Sequence, residues 1–543
     1  MAEPNRGGAG GGQDGWTPER SVAGRRNPWS IVAVISIATF MTVLDTSIAN
    51  VALNHIAGGM AISYDEATWV TTSFLVATAV IVPISGWLAT VIGRKRYYMI
   101  SVALFSAASL LCGLSPNLTV LITARILQGI AGGGLAPVEQ SMLVDTFPPR
   151  QRSLAFAAYG VVVIAGPVLG PVIGGWITDN ASWHWCFLIN VPVGALSLFL
   201  VNLFVDEPAA LLRDRKDILK GGLKVDIGGF LLVGGFLAFL ELTLDRGQRE
   251  DWFSSPFIIA CATLSGLCLL LAIPWELSRK DPIVPISMFA RRNFGIASIF
   301  LLITGMIIFG TTQFIPQMLQ QVLGYTATDA GMAMTAGGLA TIVMLPVSGV
   351  LSSRVDSRLL IGFSFAIQGV AMWHMSHLDT QMSFASAAFA RMLQSVGLPF
   401  LFVPITTIAY VGLKPNESNQ ASALMNVARN LGGTIGISSV QTLLAQRSQF
   451  HQAHMAEQLN PLNPNYVAGV ARIAQVLTAR GQPQAQASQE AVGVLYRAVG
   501  QQSQMLSYVD IFHILMIVVF AAIPLLLLMR GKPAGEQAAG GAA

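Results

Sequence analysis

The chain has 543 residues, of which 53% are hydrophobic and only 11% charged, with a formal net charge of +4. Soluble globular domains carry roughly 25% charged residues. The composition, with a mean hydropathy of +0.60, therefore excludes a soluble enzyme or binding module, and the small positive charge implies no nucleic acid. An all-α polytopic membrane protein is expected. The four cysteines, Cys112, Cys186, Cys261 and Cys268, fall in apolar stretches without a CxxC, so neither a disulfide framework nor a metal site is expected.

In chain order, residues 1–28 read as a flexible tail, because the apolar run that follows is too long for the core of a signal peptide. Fourteen spans are then predicted, at 29–53, 67–91, 97–114, 119–144, 153–178, 185–205, 226–244, 255–277, 293–319, 330–351, 358–376, 383–411, 420–445 and 508–529, before a second tail at 531–543. An even count places both termini on one side. Basic residues choose the cytoplasmic side, since 23 of the 32 Lys and Arg then fall in inner segments. The longest connection, 446–507, is rich in Gln and Ala and is divided by NPLNPN (460–465). Helices are expected in 446–459 and 466–506.

The first span contains one carboxylate, Asp45, in MTVLDTSIANVALN (41–54). An acid in hydrocarbon costs several kcal/mol and marks a functional site. Counting from the outer ends, Asp45 lies about 12 Å deep on the first span and Arg125 about 9 Å deep on the fourth, so the two can pair. Burial opposes ionisation of the acid and the guanidinium favours it, a balance suited to loading and releasing a proton. Gln128 and Gly129 share the face of Arg125. Gln128 either holds that guanidinium or joins helices as polar glue, and it is also a candidate for the substrate cavity. In the fifth span Gly166, Gly170 and Gly174 form a smooth ridge, with Pro167, Pro171 and Gly175 beside them, a pattern for close packing or gating. Glu139 reads as an interfacial carboxylate near a helix end, with a second protonatable stop as the alternative. Glu241 and Asp245 read as exposed. Arg391 and Arg429 each either neutralise a kink or bind an anionic group.

Two strings recur at nearly one offset. Pro83–Leu88 (PISGWL) echoes Pro346–Leu351 (PVSGVL), and Ala124–Gln128 (ARILQ) echoes Ala390–Gln394 (ARMLQ). A duplicated six-helix unit follows, 29–205 and 293–530, with two inserted helices and linkers in 206–292. Parallel halves with a site between them describe the major facilitator fold. The sequence resembles the fourteen-helix drug:proton antiporter group of that superfamily, the EmrB/QacA type. The likeness rests on LDTSIANVAL (44–53), on Arg125, Gln128 and Gly129, on GPVLGPVIGG (166–175), and on LDRG (244–247), DWFSS (251–255) and LGYTATDAG (323–331). One departure is Thr90, which stands where the loop motif GWLATVIGRKR (86–96) normally has an Asp, so the usual charge latch is not expected.

The resemblance implies an inner-membrane, proton-driven multidrug exporter that works with an EmrA-like periplasmic adaptor and an outer-membrane channel. Its substrates would be small amphipathic or hydrophobic compounds. Candidate cavity residues on the ninth span are Phe309, Gln313, Phe314 and Gln317. No GxxxxGK[ST] occurs, so the proton gradient rather than a nucleotide or other cofactor is the expected energy source. A same-fold exporter of one metabolite, such as a fatty acid or siderophore, is the alternative. A respiratory-complex subunit is disfavoured, because all seven lysines fall in predicted cytoplasmic segments.

Overall fold

The computed structural model describes residues 21–23, 26–208, 212, 215, 226–279, 282–414 and 417–529. Residues 1–20 of the expected first tail, the second tail at 531–543, and most of the linker after residue 208 lie outside them, whereas Val22 and Ala23 of the first tail are buried and Pro28 already belongs to the first helix. Among the described residues the protein is built of helices. Those of the first half are α1 (Pro28–Met60), α2 (Trp69–Ile92), α3 (Arg94–Gly113), α4 (Leu118–Gly132), α5 (Leu135–Thr146), α6 (Pro149–Asn180) and α7 (Asn190–Phe204). An inserted pair follows, α8 (Ile227–Arg246) and α9 (Pro256–Ser278). The second half contains α10 (Arg292–Gln321), α11 (Ala327–Arg354), α12 (Ser357–Met375), α13 (Phe384–Gly397), α14 (Pro399–Ala409), α15 (Ser418–Ala456), α16 (Pro464–Ala479) and α17 (Gln484–Ala522).

Twelve helical tracks are long and apolar enough to cross a membrane. The other two expected spans, the eleventh and thirteenth, form as α12 and α15. Their polar residues, Arg358, Gln368 and His374 in one and Asn419, Asn426, Arg429 and Gln441 in the other, lower their apolar character. The fourth and twelfth spans each break in two. α4 passes to α5 at Gly133–Gly134, and α13 passes to α14 at Leu398, so the duplication extends to the breaks.

Local chemistry explains the helix ends and polar side chains. Asn27 caps α1 by accepting from the Trp29 amide at 3.0 Å, and Pro28 opens the first turn. Inside α1, the Thr42 and Thr46 hydroxyls donate to the carbonyls of Thr39 and Thr42, both at 3.0 Å, so neither carries an unmet donor. The chain turns from α2 into α3 at Gly93, whose φ of 98° lies in the left-handed region that favours glycine.

Glycine ridges set the packing within each half. A Cβ on Gly166 would come within 2.7 Å of Val43, one on Gly170 would overlap Ser47, and one on Gly174 would meet Ile48 at 3.3 Å, so α6 lies directly against α1. Gly175 faces open space and takes no part in the ridge. Exactly the same offset of 266 positions carries Gly166 and Gly170 onto Gly432 and Gly436 of α15, which pack on the backbone of Leu302 and Met306 in α10.

The halves meet along two seams. At one, α6 crosses α11, where Gly349 faces Ala157 and Gly338 faces Val168. At the other, α2 meets α15, where a Cβ on Gly86 would lie 2.7 Å from the Asn419 carbonyl oxygen. The inserted pair packs outside α2, and α8 also touches α15. The connection 446–507 is helical as expected: α15 runs on to Ala456, α16 follows, and α17 starts at Gln484. Asp510 of α17 ties the base of this hairpin to Arg447 and His451 of α15, at 2.6 and 2.7 Å.

Candidate functional site

The helix that carries Asp45 is held by α4 and α7, which supply polar groups to the acid, and α3 supports those groups through Ser109. Arg125 Nη1 donates to Asp45 Oδ2 at 2.6 Å. Gln128 Nε2 and Asn190 Nδ2 donate to Oδ1 at 2.9 and 2.7 Å. Ser109 Oγ accepts from both amides, at 3.2 and 2.9 Å. The guanidinium is fixed on its other sides: Nη1 also reaches Gln128 Oε1 at 2.7 Å, and Nε donates to the Val70 carbonyl at 3.0 Å. Its carbon stands 4.2 Å from the Phe74 ring centre and 5.5 Å from that of Phe187. Asp45 and Arg125 side chains are both fully buried.

The sequence reading brought Asp45, Arg125 and Gln128 together, and it did not find Asn190, Ser109, Phe74 or Phe187. Asn190 had a signal, as one of two amides, with Asn202, in an otherwise mostly apolar span. The structure corrects the assignment of Gln128 to the substrate cavity, because its amide is committed to Asp45 and it has no exposure.

A second buried group lies nearer the end of the bundle that carries Arg94. Glu139 on α5 accepts a hydrogen bond from Thr39 of α1, whose hydroxyl also lies 3.0 Å from Tyr159 Oη of α6. Glu139 has no exposure, so it is not the interfacial carboxylate expected, and its Oε1 has no partner among the described residues. Next to it, Gln140 accepts from Asn426 of α15 at 2.8 Å, and Asn426 accepts from Arg429 at 2.5 Å, a bond chain that crosses between the halves.

The second half repeats the Arg–Gln pair of the first cluster with Thr311 in place of the acid. Arg391 Nη1 donates to Gln394 Oε1 at 2.6 Å, as Arg125 does to Gln128. Gln394 Nε2 donates at 2.8 Å to Thr311 Oγ1, the atom standing where Asp45 stands in the first half. Residues 45 and 311, 125 and 391, and 128 and 394 are each 266 positions apart.

The inserted helix α8 also departs from expectation. Glu241 is buried and accepts from Thr434 of α15 at 2.9 Å, and Asp245 accepts from Thr72 of α2 at 2.5 Å, so the carboxylates expected to be exposed brace α8 against both halves. Of the expected cavity residues, Gln317 lines a cavity. That cavity has about 340 Å³ and lies at the hairpin end, among Arg249, Gln321, Gln441, Gln504 and Tyr508. Phe309 and Gln313 are exposed on the same stripe of α10, and Phe314 is buried in the main apolar cluster instead.

Where the loop motif has Thr90 for Asp, the seam between α2 and α15 closes on neutral groups. Thr90 Oγ1 accepts from Asn419 Nδ2 at 2.9 Å, and Asn419 Oδ1 accepts from Ser141 at 2.7 Å. Arg94 pairs with Asp145 and reaches Ser418 of α15 at 3.0 Å.

Two duplicated helical halves, an inserted helix pair and a buried acid–guanidinium pair define a polytopic membrane protein built like a transporter. Residues 35–437 match the model of the Major Facilitator Superfamily, and the chain belongs to that family. It is 38% identical over 418 residues to the multidrug export protein EmrB of Escherichia coli strain K12, which covers 77% of this chain and 80% of that protein. It is 35% identical over 508 residues to the fatty acid resistance protein FarB of Neisseria gonorrhoeae, covering 93% and 96%. The proton:xylose symporter XylE has the same fold, with a TM-score of 0.57 at 12% identity over 92% of this chain and 96% of that one.

Proposed function

We propose that the protein is a proton-coupled exporter of amphipathic or hydrophobic compounds, a drug:proton antiporter of the inner membrane with both termini in the cytoplasm. The observation that carries this reading is the Asp45 carboxylate, buried among three donors on two other helices, Arg125 and Gln128 of α4 and Asn190 of α7. A proton added to this carboxylate would turn an acceptor into a donor, so its bonds to α4 and α7 would change and with them how the helices fit. The similarity to a protein named for multidrug export supports the direction of transport. The similarity to one named for fatty acid resistance supports a second reading, a narrower metabolite exporter of the same mechanism. No cofactor enters either reading. The test is efflux of a cationic dye from cells expressing the protein, with and without an uncoupler. Efflux that continues unchanged after the gradient collapses would overturn the proposal.

We also propose that the hairpin formed by the end of α15, α16 and the start of α17 docks a periplasmic adaptor, which would hand substrates to an outer-membrane channel. Its exposed Phe450, Leu462, Val467, Val476 and Tyr496 support this. Replacing Pro461–Arg497 by a short Gly-Ser bridge is expected to leave proton-driven dye transport in vesicles intact and to abolish co-purification with the adaptor. Retained adaptor binding would place docking elsewhere.

A further inference from the structure

Arg391 is a buried cation that lacks what its duplicate has. Arg125 faces a carboxylate and two aromatic rings, whereas Arg391, only 7% exposed, bonds to neutral partners: Gln394, Thr311 at 3.2 Å and Thr312 at 3.3 Å. No carboxylate of the described residues pairs with it. The difference is sharpest along one edge of the guanidinium. Nε and Nη2 point the same way and form the fork that grips both oxygens of a carboxylate. In Arg125 the Nε end of that fork is occupied by the Val70 carbonyl, while Nη2 has no hydrogen-bond partner among the described residues. In Arg391 Nε has no partner, and Nη2 holds only the long bond to Thr312.

Backbone without a side chain lies beside the fork, whose Nε is itself enclosed. A Cβ on Gly337 of α11 would stand 3.2 Å from Arg391 Nε, so any larger residue there would crowd it. Thr312 is half-buried and the next residue, Gln313, is exposed, so the Nη2 end of the fork is the side that opens outward. A buried guanidinium without a counter-charge is costly, and an incoming anion relieves that cost only by entering here.

The geometry points to a carboxylate-binding site in the second half, in which the Nε/Nη2 edge of Arg391 takes both oxygens of an amphipathic organic acid. Thr311 makes this possible by being neutral. An acid at that position would satisfy Arg391 from within the chain, as Asp45 satisfies Arg125. The two halves then divide the work: the first carries its own acid for the proton, and the second leaves the matching place to the substrate. This deepens the exporter reading and rests on it for the word substrate, but the binding itself does not depend on a gradient.

The test is titration of the purified full-length protein in nanodiscs at pH 8, without a gradient, using dodecanoate, its methyl ester and dodecylamine. The protein is expected to bind the acid at least tenfold more tightly than the ester. Arg391→Gln should remove that advantage. Thr311→Asp should pair with Arg391 and likewise remove the preference for the acid while the ester still binds as it does to the unvaried protein, a readout that only a folded site can produce. An unvaried protein that binds acid and ester equally overturns the site without any variant, and so does Thr311→Asp that still prefers the acid. If dye efflux proves independent of the gradient while the acid preference stands, the coupling fails and the site remains.

Discussion

Asp45→Asn is expected to abolish gradient-driven efflux while leaving a protein that inserts and still exchanges dye across vesicles with no gradient. Asn matches Asp in shape and keeps partners for Gln128 and Asn190, but it takes up no proton in the accessible range. It also leaves the buried Arg125 without its counter-charge, and breaking one side of such a pair costs about 3–5 kcal/mol. The variant should therefore unfold at lower temperature. The double change Asp45→Asn with Arg125→Gln should recover part of that stability and none of the coupling. Proteoliposomes with an imposed gradient, together with thermal unfolding in detergent, check both halves of the expectation. Normal gradient-dependent export by Asp45→Asn would remove the acid from the mechanism.

The second large effect is steric. Gly170→Val places two methyl groups where Ser47 already stands, so α6 must move away from the helix that carries Asp45. Overpacking a close contact costs about 1–3 kcal/mol or more, and here the displaced helix is the one that positions the acid. Loss of transport and a clear fall in melting temperature are expected. Gly175→Ala, one turn on and facing open space, should change neither. A fully active Gly170→Val would show that the ridge is dispensable.

Depth along a straight helix is legible in a sequence, and that is why Asp45 and Arg125 could be paired before their helices were seen. Rotation about the helix axis is less so. Asn190 and Ser109 complete the cluster from α7 and α3, but a single amide or hydroxyl in an apolar span does not reveal which way it points. Glu139 was misplaced for a different reason. The fourth span was taken as one rod ending at residue 144, whereas the chain bends at Gly133–Gly134 and continues to Thr146, which brings α5 beneath α1 and α6. Glu241 and Asp245 were read from their position at a span end. The burial of Glu241 and the bond that Asp245 makes depend on α15 and α2, which are distant in sequence. The hairpin helices, by contrast, followed from local composition and the two prolines between them.

The duplicated cluster was half legible. The repeat offset exposed Arg391 and Gln394, and applying the same offset to Asp45 would have led to Thr311. It would not have shown the unmatched edge of Arg391, which depends on Gly337 from another helix.

The bonds that join α2, α3 and α5 to α15 carry one more consequence. Asn419 to Thr90, Ser141 to Asn419, Arg94 to Ser418 and Asn426 to Gln140 each end on a neutral partner. Separating such bonds moves no pair of opposite charges apart, so dissolved salt has little to screen there. A membrane voltage likewise acts only on charge that is displaced. At this seam the opening step is electrically silent, and the voltage sensitivity of the cycle then reports the proton and the substrate rather than the hinge.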